Sequence, residues 1–155
     1  MVFRDAELSF RQLASESCDR GASWTTPVLT DMPDARAKQS AGNLPDGTAW
    51  LVNAPNTDRP RVPLAVTLSD DGRLFDRSFL LRGAGDLQPL RFEGQYKRPG
   101  YHSPKSVVWG DALYVGSATN QEARQITRVP PTAPSGAETS PACCANPSQS
   151  RRWPR

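Results

Sequence analysis

Between residues 11 and 129 the apolar side chains come in short runs of about four to six, separated by Gly, Pro, Asp and Asn. No stretch keeps a 3.6-residue period, and short alternating runs bounded by turn formers predict strands. The pattern places strands at 11–17, 23–29, 39–44, 48–53, 64–69, 75–81, 106–109, 113–118 and 125–129. The chain therefore reads as all-β.

Two turn types alternate between these strands. Ser17-Cys18-Asp19-Arg20-Gly21-Ala22-Ser23-Trp24 has the form Ser-x-Asp-x-Gly-x-Ser-Trp, and a shortened relative, Ser69-Asp70-Asp71-Gly72-Arg73-Leu74-Phe75, follows further on. An Asp-Gly hairpin at Asp46-Gly47 and a Gly-Asp hairpin at Gly110-Asp111 interleave with them. The second box begins 52 residues after the first, and repeated units of about 50 to 60 residues with four short strands each are the signature of propeller blades.

The chemistry of the boxed turn is mechanical. An Asp at a tight turn accepts hydrogen bonds from the amides that follow, Gly takes the positive φ, and the Ser hydroxyl closes the loop. Trp24 and Phe75 then restart the next strand as apolar wedges. Ser17, Asp19, Gly21, Trp24, Ser69, Asp71, Gly72 and Phe75 are accordingly assigned structural roles. Trp50 and Trp109, in the intervening hairpins, are expected to pack between blades, with stacking on a sugar as their other role.

Composition adds limits. Of the 19 Lys and Arg residues, Arg151, Arg152 and Arg155 crowd the C-terminus, so the body is nearly neutral despite a formal charge of +3. Nucleic-acid binding needs basic residues clustered on one face or element, and it is not expected here. Cys18, Cys143 and Cys144 make an odd count with no metal-ligand spacing, and His102 is the lone histidine. No metal or cofactor is expected. No apolar run approaches the roughly 18 residues of a membrane span, nor does the start carry an apolar signal core, so no membrane partner is expected either. Localisation is left open. From 131 to 155 the chain is rich in Pro, Ala, Ser and Thr, with Trp153 its one large apolar side chain, and it is read as a disordered tail.

Asn43-Leu44-Pro45-Asp46-Gly47, Leu68-Ser69-Asp70-Asp71-Gly72 and Gly100-Tyr101-His102-Ser103-Pro104 leading to Val108-Trp109-Gly110-Asp111 together resemble the sialidase-like family of Asp-box propellers, whose turns are the bacterial neuraminidase repeat. The resemblance covers roughly residues 1–130. It implies the C-terminal part of a six-bladed propeller: the end of one blade, a complete blade, and three strands of another.

The family's enzymes cleave terminal sialic acid with a Tyr nucleophile paired with a Glu, an Asp acid/base, and three arginines on the substrate carboxylate. By position, Tyr101 is the candidate nucleophile, with lining of the propeller mouth as its other role. Lys38 stands where the Glu partner is common, and a protonated Lys cannot accept the Tyr proton. Asn53 replaces an expected arginine, although Arg59 and Arg61 follow. Arg61, Arg98, Lys38 and His102 are the candidate substrate-binding residues. The acid/base Asp and the first family Arg are expected on blades outside this chain. The resemblance thus implies hydrolysis or binding of a sialic-acid-like or other acidic sugar, with a non-catalytic glycan- or protein-binding propeller as the alternative. The chain alone is expected to be inactive, with further blades of the same propeller as its partner.

Overall fold

The computed structural model describes residues 1–130; the tail expected at 131–155 lies outside the described residues. The described chain is all-β, with ten strands and a 3-10 turn at Ala84–Asp86. Three antiparallel sheets follow one another along the sequence. Sheet I contains β1 (Val2–Arg4), β2 (Arg11–Ala14) and β3 (Val28–Pro33). Sheet II contains β4 (Ser40–Asn43), β5 (Ala49–Asn53), β6 (Leu64–Ser69) and β7 (Arg77–Arg82). Sheet III contains β8 (Tyr101–Trp109), β9 (Ala112–Thr119) and β10 (Ala123–Val129). Each sheet is a meander in which sequence neighbours pair, as in consecutive partial and complete propeller blades.

Sheet II is the central layer, and its strand composition explains why. All six residues of β6 are buried, so this strand is covered on both faces. Successive side chains of a strand point to opposite faces. Trp50, Val52, Leu64, Val66 and Leu68 form one face and pack with Tyr101, Leu113 and Val115 of sheet III. Fully burying one such aliphatic side chain contributes about 1.5–3 kcal/mol. The opposite face carries Leu51, Asn53, Thr67 and Ser69, also buried. It faces sheet I, to which Asn53 Nδ2 donates at the Pro33 carbonyl (3.0 Å) and Ala54 supplies a carbonyl for the Ala35 amide (3.0 Å).

Several strand boundaries differ from expectation for local reasons. β3 starts at Val28 and not at residue 23, because Ser23 is bound into the Asp19 turn and Thr25 is drawn back to Ser15 and Glu16. β8 starts at Tyr101, five residues before the expected strand; a register shift between His102 and Lys105, with Ser103 at φ 48°, lets the strand pass through Pro104. β1 was not expected, since three residues carry too little pattern to register as a strand. Trp50 is buried between sheets II and III as expected. Trp109 is not between sheets: it is 74% exposed on the outer face of sheet III, tilted against Tyr114 at 6.1 Å.

Candidate functional site

The connections divide cleanly between the two ends of the stack. At one end lie the boxed turns. Asp19 accepts the Ser17 hydroxyl and the Ser23 amide on Oδ1 (both 2.8 Å) and the Ser23 hydroxyl on Oδ2 (2.5 Å). Ser17 Oγ in turn receives the Gly21 amide (2.8 Å), with Gly21 at φ 91°, and the Trp24 indole donates to the Gly21 carbonyl (3.1 Å). The hydrogen bonds from Ser23 and Ser17 hold the Asp19 carboxyl down at about 2. Asp71 repeats the device: its Oδ1 accepts the Ser69 hydroxyl (3.0 Å) and the amides of Arg73 (2.7 Å) and Leu74 (2.8 Å), with Gly72 at φ 70° and Phe75 half-buried beyond it. Arg73 then reaches Glu16 (2.9 Å), joining the boxed turns of sheets I and II.

The other end gathers the β1–β2 connection, the end of β3, the β5–β6 connection and the start of β8. Here Arg61 lies beside Gly100 in a parallel bridge, and the Tyr101 amide donates to the Arg61 carbonyl (2.8 Å). Gly100 is buried at φ 126°, and a Cβ on it would stand 2.7 Å from the Arg61 carbonyl oxygen. Only glycine fits this approach. The Asn120 side chain pins the same segment, accepting the Gly100 amide (3.0 Å) and donating to the Gln88 carbonyl (2.6 Å).

Three of the expected site residues meet here. Arg61 Nη1 is 2.7 Å from His102 Nδ1, and His102 Nε2 is 2.8 Å from the Arg98 carbonyl. Burial, followed by the charges of Arg98 and Arg4, lowers the Arg61 pKa, while Asp34 acts in the opposite sense. Burial likewise depresses His102; the hydrogen bond to the Arg98 carbonyl opposes this, and the charges of Arg61 and Arg98 add to the lowering. His102 is 2% exposed, whereas the Arg98 and Arg4 side chains reach solvent. No salt bridge among the described residues includes Arg4, Arg61 or Arg98.

Two other expected residues fall elsewhere. Tyr101 is 1% exposed, packed in the core between sheets II and III, with its hydroxyl donating to the Gly83 carbonyl (3.0 Å). Burial raises its pKa. A nucleophile needs an accessible, activated oxygen, so in this fold Tyr101 is a packing residue. Lys38 is exposed in the β3–β4 connection, and no hydrogen bond or ion pair among the described residues ties it to Arg61, Arg98 or His102.

Arg4 and Asp34 belong to the cluster and were not anticipated. Asp34 is 1% exposed, and neither carboxylate oxygen has a full hydrogen-bond partner among the described residues, although Asn53 and the amides of Ala37 and Arg36 lie near enough to pull its pKa down in part. Desolvation pushes its pKa up to about 6. Its only sequence signal is an acidic residue between Pro33 and Ala35 at a strand end, which does not set it apart from other loop carboxylates. Arg4 ends a strand too short to be predicted.

The arrangement can do two things chemically. Guanidinium groups offer planar forks for a carboxylate, and the Asp34 carboxyl can exchange a proton near neutral pH. Among the described residues no group of three or more His, Cys, Asp or Glu side chains is placed to hold a metal. A comparison with curated proteins finds no match to this chain. A family model described as BNR repeat-like domain matches residues 1–115, which span sheets I and II, β8 and the first half of β9. With meandering blade-like sheets, two bonded Asp-box turns and that match over most of its length, the chain belongs to the BNR repeat-like domain family.

Proposed function

We propose that this part of a BNR-type propeller binds a sugar bearing a carboxylate, with the acid group received by Arg61 beside Arg98 and Arg4. The observation that carries the reading is the convergence of three guanidinium groups, from β1, the β5–β6 connection and the segment before β8, on one end of the stack, where among the described residues the carboxylate acting on Arg61 is the buried Asp34. Like charges brought together raise the energy of the empty site, and an anionic ligand relieves it. Arg61 is partly desolvated, which strengthens its pairing with an anion relative to a fully hydrated side chain.

The test is an NMR titration of the chain with N-acetylneuraminic acid and with its methyl ester. Saturable shifts for the acid and none for the ester are expected. Arg61→Ala should weaken binding by at least about tenfold, in line with about 1.5–3 kcal/mol for a hydrogen bond to a charged group. Equal binding of acid and ester would overturn the reading.

Asp34 supports a second reading, glycoside hydrolysis. A carboxyl held near pH 6 in a desolvated setting is the state that a general acid needs. Burial weighs against this reading twice over: Tyr101 and Asp34 are each 1% exposed, so the family's nucleophile is out of reach and the acid itself would have to be uncovered to meet a substrate. Turnover of a fluorogenic sialoside that Asp34→Asn abolishes would favour hydrolysis over binding alone.

A further inference from the structure

The imidazole of His102 has its hydrogen-bonding roles settled by its neighbours. A guanidinium N–H can only donate, so Nδ1 of His102, 2.7 Å from Arg61 Nη1, must be the acceptor and carries no proton. A carbonyl can only accept, so Nε2, 2.8 Å from the Arg98 carbonyl, must carry the proton. Both contacts together require the neutral Nε2–H tautomer. Its surroundings favour that form: the ring is buried, and Arg61 and Arg98 are cations that penalise a third positive charge.

We propose that His102 is a positioning residue for the anion site, a neutral clamp that orients the Arg61 guanidinium and ties the β5–β6 connection to the segment preceding β8. Without a ring acceptor, Arg61 is attached to sheet III through its main chain alone, where its carbonyl receives the Tyr101 amide. Its side chain then regains several rotamers, and a ligand must order it again on binding. The buried Nε of Arg61 has no partner among the described residues, so this clamp also limits where the guanidinium's remaining donors can point. The inference rests on the acidic-sugar reading for the ligand, but the clamp is measurable without one.

The test pairs two variants with one spectroscopic readout, all on the full chain. In the wild type, long-range ¹H–¹⁵N correlations of His102 at pH 7 should show a protonated Nε2 and a bare Nδ1. His102→Gln keeps an acceptor oxygen and a donor N–H in one side chain, and affinity for N-acetylneuraminic acid should stay within about threefold. His102→Phe keeps a flat ring with neither group, and affinity should fall by at least about tenfold. A Phe variant that binds as the wild type does, or a wild-type histidine found protonated on Nδ1, overturns the clamp. Should the Phe variant fail to fold, the tautomer measurement and the Gln variant still decide the matter. If the wild type does not bind the sugar at all, the acidic-sugar reading falls, and the Arg61 side-chain NMR signals decide the clamp alone. Restricted rotation in the wild type and the Gln variant supports it; free rotation in the wild type removes it.

Discussion

Asp19 and Asp34 are the same residue at opposite ends of one stack of sheets, and their carboxyl groups are driven in opposite directions. Asp19 sits in a turn whose own hydroxyls and amide bond to it, and its pKa falls to about 2 although it is exposed. Asp34 is buried with no completed hydrogen bond, and its pKa rises to about 6. Exposure alone would have predicted little change for the first. The difference shows that hydrogen-bond donors decide a carboxylate's state where the turn supplies them fully, and desolvation decides it where the nearby donors are too weakly placed to offset it. One end of the stack is therefore a set of completed turns, while the other holds buried polar groups without partners among the described residues.

The comparison is most severely tested at glycines. Gly100→Ala should destabilise the protein by roughly 3 kcal/mol or more, because its Cβ would meet the Arg61 main chain as well as an unfavourable φ. Gly72→Ala, with open space around it, should cost only about 1 kcal/mol of conformational strain. Denaturant unfolding of the two variants gives both numbers, and similar values would erase the contrast between the ends.

Asp34→Asn comes next, with an expected gain in stability of about 2–3 kcal/mol at pH 8. The folded pKa of about 6 lies above the unfolded value near 3.8, so the contribution of Asp34 is full below pH 3.8 and is lost as pH rises through 6. The variant should therefore outlast the wild type at pH 8 and approach it near pH 4. Parallel stability curves for the two proteins would show that Asp34 is not desolvated.

Asp71→Ala should lose about 1 kcal/mol at pH 7, the usual worth of a side-chain acceptor closing a local turn. Its folded pKa is lowered, so the stability it contributes is present above the unfolded value and disappears as pH falls below about 3.8. Acid titration of the unfolding free energy checks the sign, and the variant's sugar affinity should be unchanged. The smallest effect belongs to Lys38→Ala: under about 0.5 kcal/mol in stability, as for an ordinary surface position, and less than a twofold change in sugar affinity. A larger loss of affinity would place Lys38 back in the site.

The hydrogen-bonded frame of the boxed turns was legible from the amino-acid order, whereas Trp24, expected to restart the next strand as an apolar wedge, is 45% exposed and lies four residues ahead of β3. Ser17, Asp19, Gly21 and Ser23 find one another within seven residues, and the same spacing logic carried Ser69, Asp71 and Gly72. The candidate site was only half legible. Arg61, Arg98 and His102 were singled out and do meet, through contacts that spacing could not predict. Tyr101 was singled out as well, yet its ring went to the core, since a residue at the start of a strand points to one face or the other and the register shift after His102 decided which.

By itself, then, the sequence determined most of the strands but not β1 or the start of β8, together with the alternation of boxed turns and hairpins and the propeller class, because these depend on hydrogen bonds and side-chain alternation within a few residues. Tertiary structure alone decided that Arg4, Asp34, Arg61, Arg98 and His102 share one end of the stack, and that Asp34 is neutralised near pH 6 while Asp19 is not. The physical reason is that burial and the approach of charges are set by how whole sheets pack, and no local spacing encodes them.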